Sequence, residues 1–486
     1  MQGRFLKEFS KIGSVAVIKP ISAAVKMKYF SLYFGTMGIG LLSQGQLVLS
    51  LIYSFGSLGL GIAITKYLSD DKIGLAEQIQ ILGAVVRILL VSLIVQVGIF
   101  LALINPLSHY LFGDETHFTL LLILTCSIPF LILSRILEAI LNSKLEFSHI
   151  ARGQLISILL SLAAFLLVSR KFAEVGALIA VASYYVFLVM IYSLYVRRLH
   201  PELLSSIRIF GSNQSRYMRS IYKFGMANLF RSIVVYLSMV IMRGYIVSNY
   251  GIAEVGLYQA AYSISMYIVT GFQAISVYIL PVISSLSDSR KEIEKEINVA
   301  YSNILLIIFP IVALTIIFHI PILKLLFTAE FVGSSLTLIV LVCAQVFNVV
   351  NILNTSTLLG MNKLRIFLTV DIGRYLGQFI LFIFFFKTFG IIGIAYSALI
   401  SQSLFYIFSQ YGLHHYQIHL SRANYYTLLV LVLTVFSITS IFLFGGVENI
   451  YPVVSIMFIV GIIFIGPQRY YQMLSSASRP GVSKRQ

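Results

Sequence analysis

The stretch IQILGAVVRILLVSLIVQVGIFLALI, residues 79–104, holds a single charged side chain, Arg87. As an α-helix rising 1.5 Å per residue it is about 39 Å long, enough to cross a hydrocarbon core of about 30 Å. It is apolar around its whole circumference, so no polar face is left for water, and the pattern predicts a membrane span. Runs of the same kind lie on both sides of it, at residues 12–33, 39–65, 118–141, 147–168, 173–196, 221–247, 255–284, 297–320, 333–358, 364–386, 391–413, 424–444 and 449–466.

Composition agrees with the spans. Of 486 residues, 58% are apolar and 11% charged, against about 25% charged in soluble proteins, and mean hydropathy is +0.93. The expected fold is an all-α polytopic membrane protein of about 14 transmembrane helices. Lys and Arg gather in the segments on the side of the two termini, so the positive-inside rule puts both termini in the cytoplasm. The start, MQGRFLKEFSK, is basic, but Lys19, Pro20, Lys26 and Lys28 interrupt the apolar run after it. No signal peptide is expected. The net charge of +17 arises from that asymmetry and suits anionic membrane lipids, with no nucleic acid as partner. Cys126 and Cys343 fall inside spans, where a thiol acts as a small apolar group.

A repeat divides the chain. Lys11-Ile-Gly13, with Lys19 eight residues after Lys11, matches Lys223-Phe-Gly225, with Arg231 eight after Lys223, at an offset of 212. Lys144-Leu-Glu-Phe matches Lys363-Leu-Arg-Ile at 219. Phe172-Ala-Glu-Val-Gly176 matches Phe389-Gly-Ile-Ile-Gly393 at 217, the offset that also separates Cys126 from Cys343. These offsets bring odd helices onto odd helices, which makes the halves parallel. The expected organisation is a six-helix lobe at 1–196, a basic cytoplasmic linker at 197–220, a second six-helix lobe at 221–413, and two further helices with a basic cytoplasmic tail at 414–486. The two lobes would flank a central cavity.

Ionisable groups at membrane depth cost at least about 2.5–3.5 kcal/mol each, so they should face protein or water. Lys19, Lys26 and Lys28 lie in the first span beside Pro20, with Lys19 and Lys26 on one helical face; their other reading is snorkelling to an interface. Arg231 holds the place equivalent to Lys19 in the seventh span, and Arg87 is a further cavity candidate. Arg243 reads equally as an interface anchor or a ligand contact. In the eighth span Gln259, Ser263, Thr270 and Gln273 form a polar stripe fit for a wet lumen or for interhelical hydrogen bonds. The second span carries Ser43, Gln44, Gln46, Ser50 and Ser54 among glycines that suit close helix packing. Arg135 with Glu138 and Asp371 with Arg374 are i, i+3 pairs, which read first as structural ion pairs, and Asp371 is the carboxylate best placed to bind a coupling H⁺ or Na⁺. The sequence has no nucleotide-binding glycine loop, metal-spaced His/Cys cluster or nucleophile elbow. Neither enzymatic chemistry nor a cofactor is expected.

Gly35-Thr-Met-Gly38-Ile-Gly40-Leu-Leu-Ser-Gln-Gly45-Gln, Val255-Gly-Leu-Tyr-Gln-Ala-Ala-Tyr-Ser-Ile-Ser265 and Ser276-Val-Tyr-Ile-Leu-Pro281 resemble the Wzx-type O-antigen and enterobacterial-common-antigen flippases. These form part of the polysaccharide-transporter branch of the multidrug/oligosaccharidyl-lipid/polysaccharide exporter superfamily. The resemblance covers most of the first twelve helices, and the extra C-terminal pair is similar to the lipid II flippase relative. It implies a V of two lobes lined by helices 1, 2, 7 and 8, and an antiporter-like ion-gradient drive. The implied cargo is a polyprenyl-diphosphate-linked glycan, crossing a bacterial inner membrane with other polysaccharide assembly proteins as possible partners. Lys19, Lys26, Lys28 and Arg231 would then meet the diphosphate, Arg87 would line the cavity, and Gln259, Ser263, Thr270 and Gln273 would meet the sugar. A multidrug exporter of the same superfamily is the nearest alternative, and a membrane glycan polymerase or glycosyltransferase is the alternative from another class.

Overall fold

The computed structural model describes residues 2–57, 74–113, 117–202, 215–286 and 289–421, with Ile64, Leu68 and Asn424. The spans expected at 424–444 and 449–466, the end of the second span and most of the basic linker lie outside the described residues. Among the described residues every regular element is a helix. In order these are α1 (Gln2–Ser57), α2 (Leu75–Ala102), α3 (Ile104–Phe112), α4 (Phe118–Ser143), α5 (Phe147–Leu199), α6 (Ser215–Tyr250), α7 (Ile252–Ser285), α8 (Arg290–Ile317), α9 (His319–Leu326), a 3₁₀ turn (Ala329–Ser334), α10 (Ser335–Gly360), α11 (Leu364–Phe389) and α12 (Ile392–His415). Nine helical segments among the described residues are long and apolar enough to cross a membrane. The chain is a multi-pass membrane protein.

Two long helices contain the breaks that separate neighbouring spans. α1 leaves helical geometry at Gly35 (φ 57°, ψ −154°), between the spans expected at 12–33 and 39–65. Glycine alone takes that left-handed backbone without a Cβ penalty. α5 breaks at Phe172 and Ala173 (φ 47°), at the junction expected between 147–168 and 173–196.

The duplication is written into the backbone. Left-handed residues recur in pairs: Gly35 and Gly251, 216 residues apart; Leu145 and Asn362, 217 apart; Ala173 and Gly390, 217 apart. Helix starts repeat in the same way, Leu75 with Arg290, Ile104 with His319, Phe118 with Ser335 and Phe147 with Leu364, at offsets of 215 to 217. The short helices α3 and α9, which periodicity alone does not announce, occupy equivalent places and share a proline, Pro106 and Pro321, in their first turn. Proline is at home there because the first-turn N–H has no helical partner to lose.

The described chain forms two compact units. The first comprises Met1–Ala260, Leu323–Ser334 and Tyr375–Ile383, and the second Ala261–Ile322, Ser335–Arg374 and Phe384–Gln486. In the first, α1 packs against α4, α5 and α6, and α4 packs against α5. Glycines set its tightest crossing. A Cβ on Gly40 would stand 2.2 Å from the Ile252 carbonyl oxygen, and one on Gly256 would stand 1.9 Å from that of Thr36. Small residues in membrane helices allow this backbone approach, as expected for the glycines of the second span. In the second unit α10 packs against α8 and α12.

Hydroxyls inside the spans mostly bond back to their own helix, as Ser43 to the Gly40 carbonyl at 2.9 Å and Thr125 to that of Leu121 at 2.8 Å. This satisfies them without water.

Candidate substrate site

In the first unit, α1 distributes its three lysines differently. Lys19 is exposed and lies within electrostatic reach of Glu138 and Arg135. Lys26 is half-buried, donating from Nζ to Ser161 Oγ at 2.9 Å above the Phe165 ring, 5.7 Å from its centroid. Lys28 donates to the carbonyl oxygens of Lys324, at 2.9 Å, and Phe327. Those carbonyls end α9, where partial negative charge favours a cation, so Lys28 is committed to backbone.

Around Lys19 a cationic and aromatic cluster assembles. Arg135 Nη1 donates to Glu138 Oε2 at 2.5 Å, the i, i+3 pair read from the sequence. Gln154 Nε2 donates to Glu138 Oε1 at 3.1 Å, holding the other carboxylate oxygen. The Arg135 guanidinium lies over the Tyr53 ring, 4.4 Å from its centroid, a cation–π contact. Tyr184 and Tyr185 are within electrostatic reach of the pair, with their own rings 5.3 Å apart. Helices α1, α4 and α5 thus bring two cations, one carboxylate and three phenols together. The sequence signals the ion pair, but not the tyrosines that surround it.

On α6, Arg231 is half-buried. The Gly35/Gly251 pairing sets the helix register at 216 residues, so the position equivalent to Lys19 is Val235. Arg231 sits four residues, about one turn, from that position. This corrects the sequence offset of 212, while a one-turn shift leaves the guanidinium on the same helical face. Arg243 is buried, donating to Gln259 Oε1 at 2.6 Å and to the Ser43 carbonyl at 3.3 Å, with Tyr258 alongside at 5.7 Å. It is an internal strut between α6, α7 and α1 rather than an interface anchor, and Gln259 is engaged by it.

The rest of the α7 stripe lies in the second unit. Ser263 is buried, Thr270 bonds back to the Met266 carbonyl at 2.9 Å, and Gln273 is exposed. Arg87, in α2, is exposed.

The second unit contains a ladder that the sequence analysis missed. Gln345, Asn348, Asn351 and Asn354 recur every three residues along α10, all buried. Gln345 donates to Ser265 Oγ at 3.4 Å, and Asn348 donates to Gln345 at 2.7 Å. Asn351 donates to the Gln402 carbonyl at 3.1 Å and accepts from Ser409 at 2.9 Å. Asn354 donates to Ser409 at 2.8 Å and accepts from Tyr301. Arg374 joins the ladder, donating to Asp371 at 3.2 Å, to Gln402 at 3.2 Å and to Asn348. The x₂-spaced amides are visible in the sequence; what they reach is set by α7, α8, α11 and α12.

A sequence model described as "Polysaccharide biosynthesis protein" matches residues 34–336. No curated protein matches by sequence. Among solved structures, the chain is similar to the lipid II flippase MurJ in an inward closed conformation, with TM-score 0.70 and 17% identity over 93% of this chain and 96% of that one. It is similar to an inward-facing multidrug resistance MATE family transporter of the MOP superfamily, at 0.67 and 15% over 82% and 98%. The MATE multidrug transporter DinF-BH gives 0.63 and 15% over 84% and 96%. At these identities the likeness establishes the fold.

Proposed function

The chain belongs to the polysaccharide biosynthesis protein family, and from that premise we propose that it is a flippase of the Wzx kind. In this reading it carries a polyprenyl-diphosphate-linked oligosaccharide, such as an O-antigen repeat unit, from the cytoplasmic to the outer leaflet of a bacterial inner membrane by alternating access. It makes and breaks no covalent bond.

The observation that carries the reading is the sign of the charge in the first unit's spans. Lys19, Lys26, Arg87, Arg135 and Arg231 are set there against Glu138 and Glu174. An excess of Lys and Arg suits an anionic headgroup, held by charge-assisted hydrogen bonds. Lys19, Lys26 and Arg231 receive the diphosphate, while Lys28 holds the end of α9 beside them. Arg87 is the further cation assigned to its path. The groups we assign to the sugar are Gln259, held by Arg243, and, in the second unit, Ser263, Thr270 and Gln273; the prenyl tail stays in lipid.

The drive we assign is an ion gradient, with H⁺ or Na⁺ competing with Arg374 for Asp371. Wild-type transport by Asp371→Asn at every pH and Na⁺ concentration would remove Asp371 from that role.

The test is reconstitution in liposomes with a fluorescent polyprenyl-diphosphate sugar, scored by a membrane-impermeant quencher. Protein-dependent flipping that Arg231→Ala slows about tenfold is the expected result. Full flipping by a stably folded Arg231→Ala would overturn the cationic path.

A further inference from the structure

The Arg135–Glu138 pair has the form of a structural ion pair but not the partners of one. Among the described residues, Glu138 is the only protein acceptor that the Arg135 guanidinium has, through Nη1. Its Nε is buried without any partner. A guanidinium offers five N–H donors in one plane, and a pair built for stability in a membrane span would use them on protein. The Arg374 guanidinium does so, donating to three side chains.

Exposure is also lopsided. The Arg135 side chain is 36% exposed and that of Glu138 14%. Tyr53 covers one face of the guanidinium. Glu138 has a second tether, Gln154, which can keep the carboxylate when Arg135 lets go. Lys19 adds another positive charge within electrostatic reach, so the three charged groups sum to one net positive charge that an incoming anion would balance.

We infer that Arg135 is a diphosphate-binding residue that Glu138 occupies in the resting protein, and that the anionic headgroup of the cargo displaces the carboxylate. The inference rests on the flippase reading above and adds to it an internal competitor. The headgroup exchanges one anion for another at the guanidinium edge, so its charge is never set against an empty, desolvated cation. Glu138 stays hydrogen-bonded to Gln154. The exchange sets a threshold: a ligand must bring an anion stronger than one carboxylate, and a neutral polyprenyl glycan does not open the pair.

The experiment uses the full chain in phosphatidylcholine nanodiscs and measures binding of polyprenyl diphosphate, with the uncharged polyprenol as the control for the tail. Removing the competitor in Glu138→Gln is expected to tighten diphosphate binding about tenfold. Glu138→Asp, one methylene too short to reach Nη1, should also tighten it and serves where the first variant does not fold. Arg135→Gln should weaken binding at least tenfold, and the double variant Arg135→Gln/Glu138→Gln should match it. Binding by wild type that is unchanged or weaker in both Glu138 variants would overturn the inference and leave the flippase reading in place. Competition by phosphatidylglycerol as strong as that by the diphosphate would overturn it too, by making the site one for phospholipid. No diphosphate binding by wild type would overturn the reading beneath it as well.

Discussion

The Arg135 cluster of the first unit and the α10 ladder of the second treat polar groups in opposite ways. In the second, polar groups close on one another: Asn354 is bound by Tyr301 and Ser409, Asn351 by Ser409 and the Gln402 backbone, and Arg374 by Asp371, Asn348 and Gln402. In the first, Lys19 is exposed and Arg135 keeps unused donors over an aromatic ring. A fully partnered network rigidifies a core, whereas a donor left unpaired there costs free energy that a partner brought by a ligand would recover. The difference teaches that the number of ionisable groups in a span says little about function; the number of their hydrogen bonds already spent says more.

The comparison can be broken at its strongest point first. Arg374→Ala should strand Asp371 and two amides in the α10 ladder, costing about 3 kcal/mol or more, read as a large fall in melting temperature and membrane abundance. Asn354→Leu takes one rung and leaves Tyr301 and Ser409 short of a partner, for about 2 kcal/mol, again in melting temperature. In the first unit the expected order reverses. Arg231→Ala or Lys19→Ala should keep wild-type abundance and melting while the flipping rate falls about tenfold, equivalent to about 1.4 kcal/mol. The smallest effect sharpens the division inside α1 itself: Lys28→Met should cost about 1 kcal/mol of stability through the lost carbonyl contacts, with flipping per folded molecule within about twofold of wild type.

How much of this was legible varies with the range of the interaction. Spans and their breaks are local, so hydropathy read the separation of the first two at Gly35 and of the fifth and sixth at Phe172–Ala173. The duplication was also legible, but short motifs misplaced it by a turn at Lys19 and Arg231, and the left-handed residues corrected the register. The ion pairs at i, i+3 came from helix geometry alone. What escaped was everything that depends on a distant partner. Nothing near Lys28 in the chain announces that α9 ends beside it, and nothing near Arg243 announces Gln259. Membrane helices make this harder, since a lysine facing a cavity and one capping another helix stand in equally apolar runs.

The most direct test of the central claim, that the first unit's cations serve an anionic cargo, varies the charge of the cargo at constant tail length. Proteoliposomes holding the wild-type chain would be offered, in parallel, a polyprenyl-diphosphate sugar, its uncharged polyprenyl-sugar analogue and a cationic dye, with transport of each scored as protected fluorescence. Translocation of the diphosphate alone is expected; transport of the dye with no movement of the diphosphate would rule out an anionic cargo and make the chain a cation exporter.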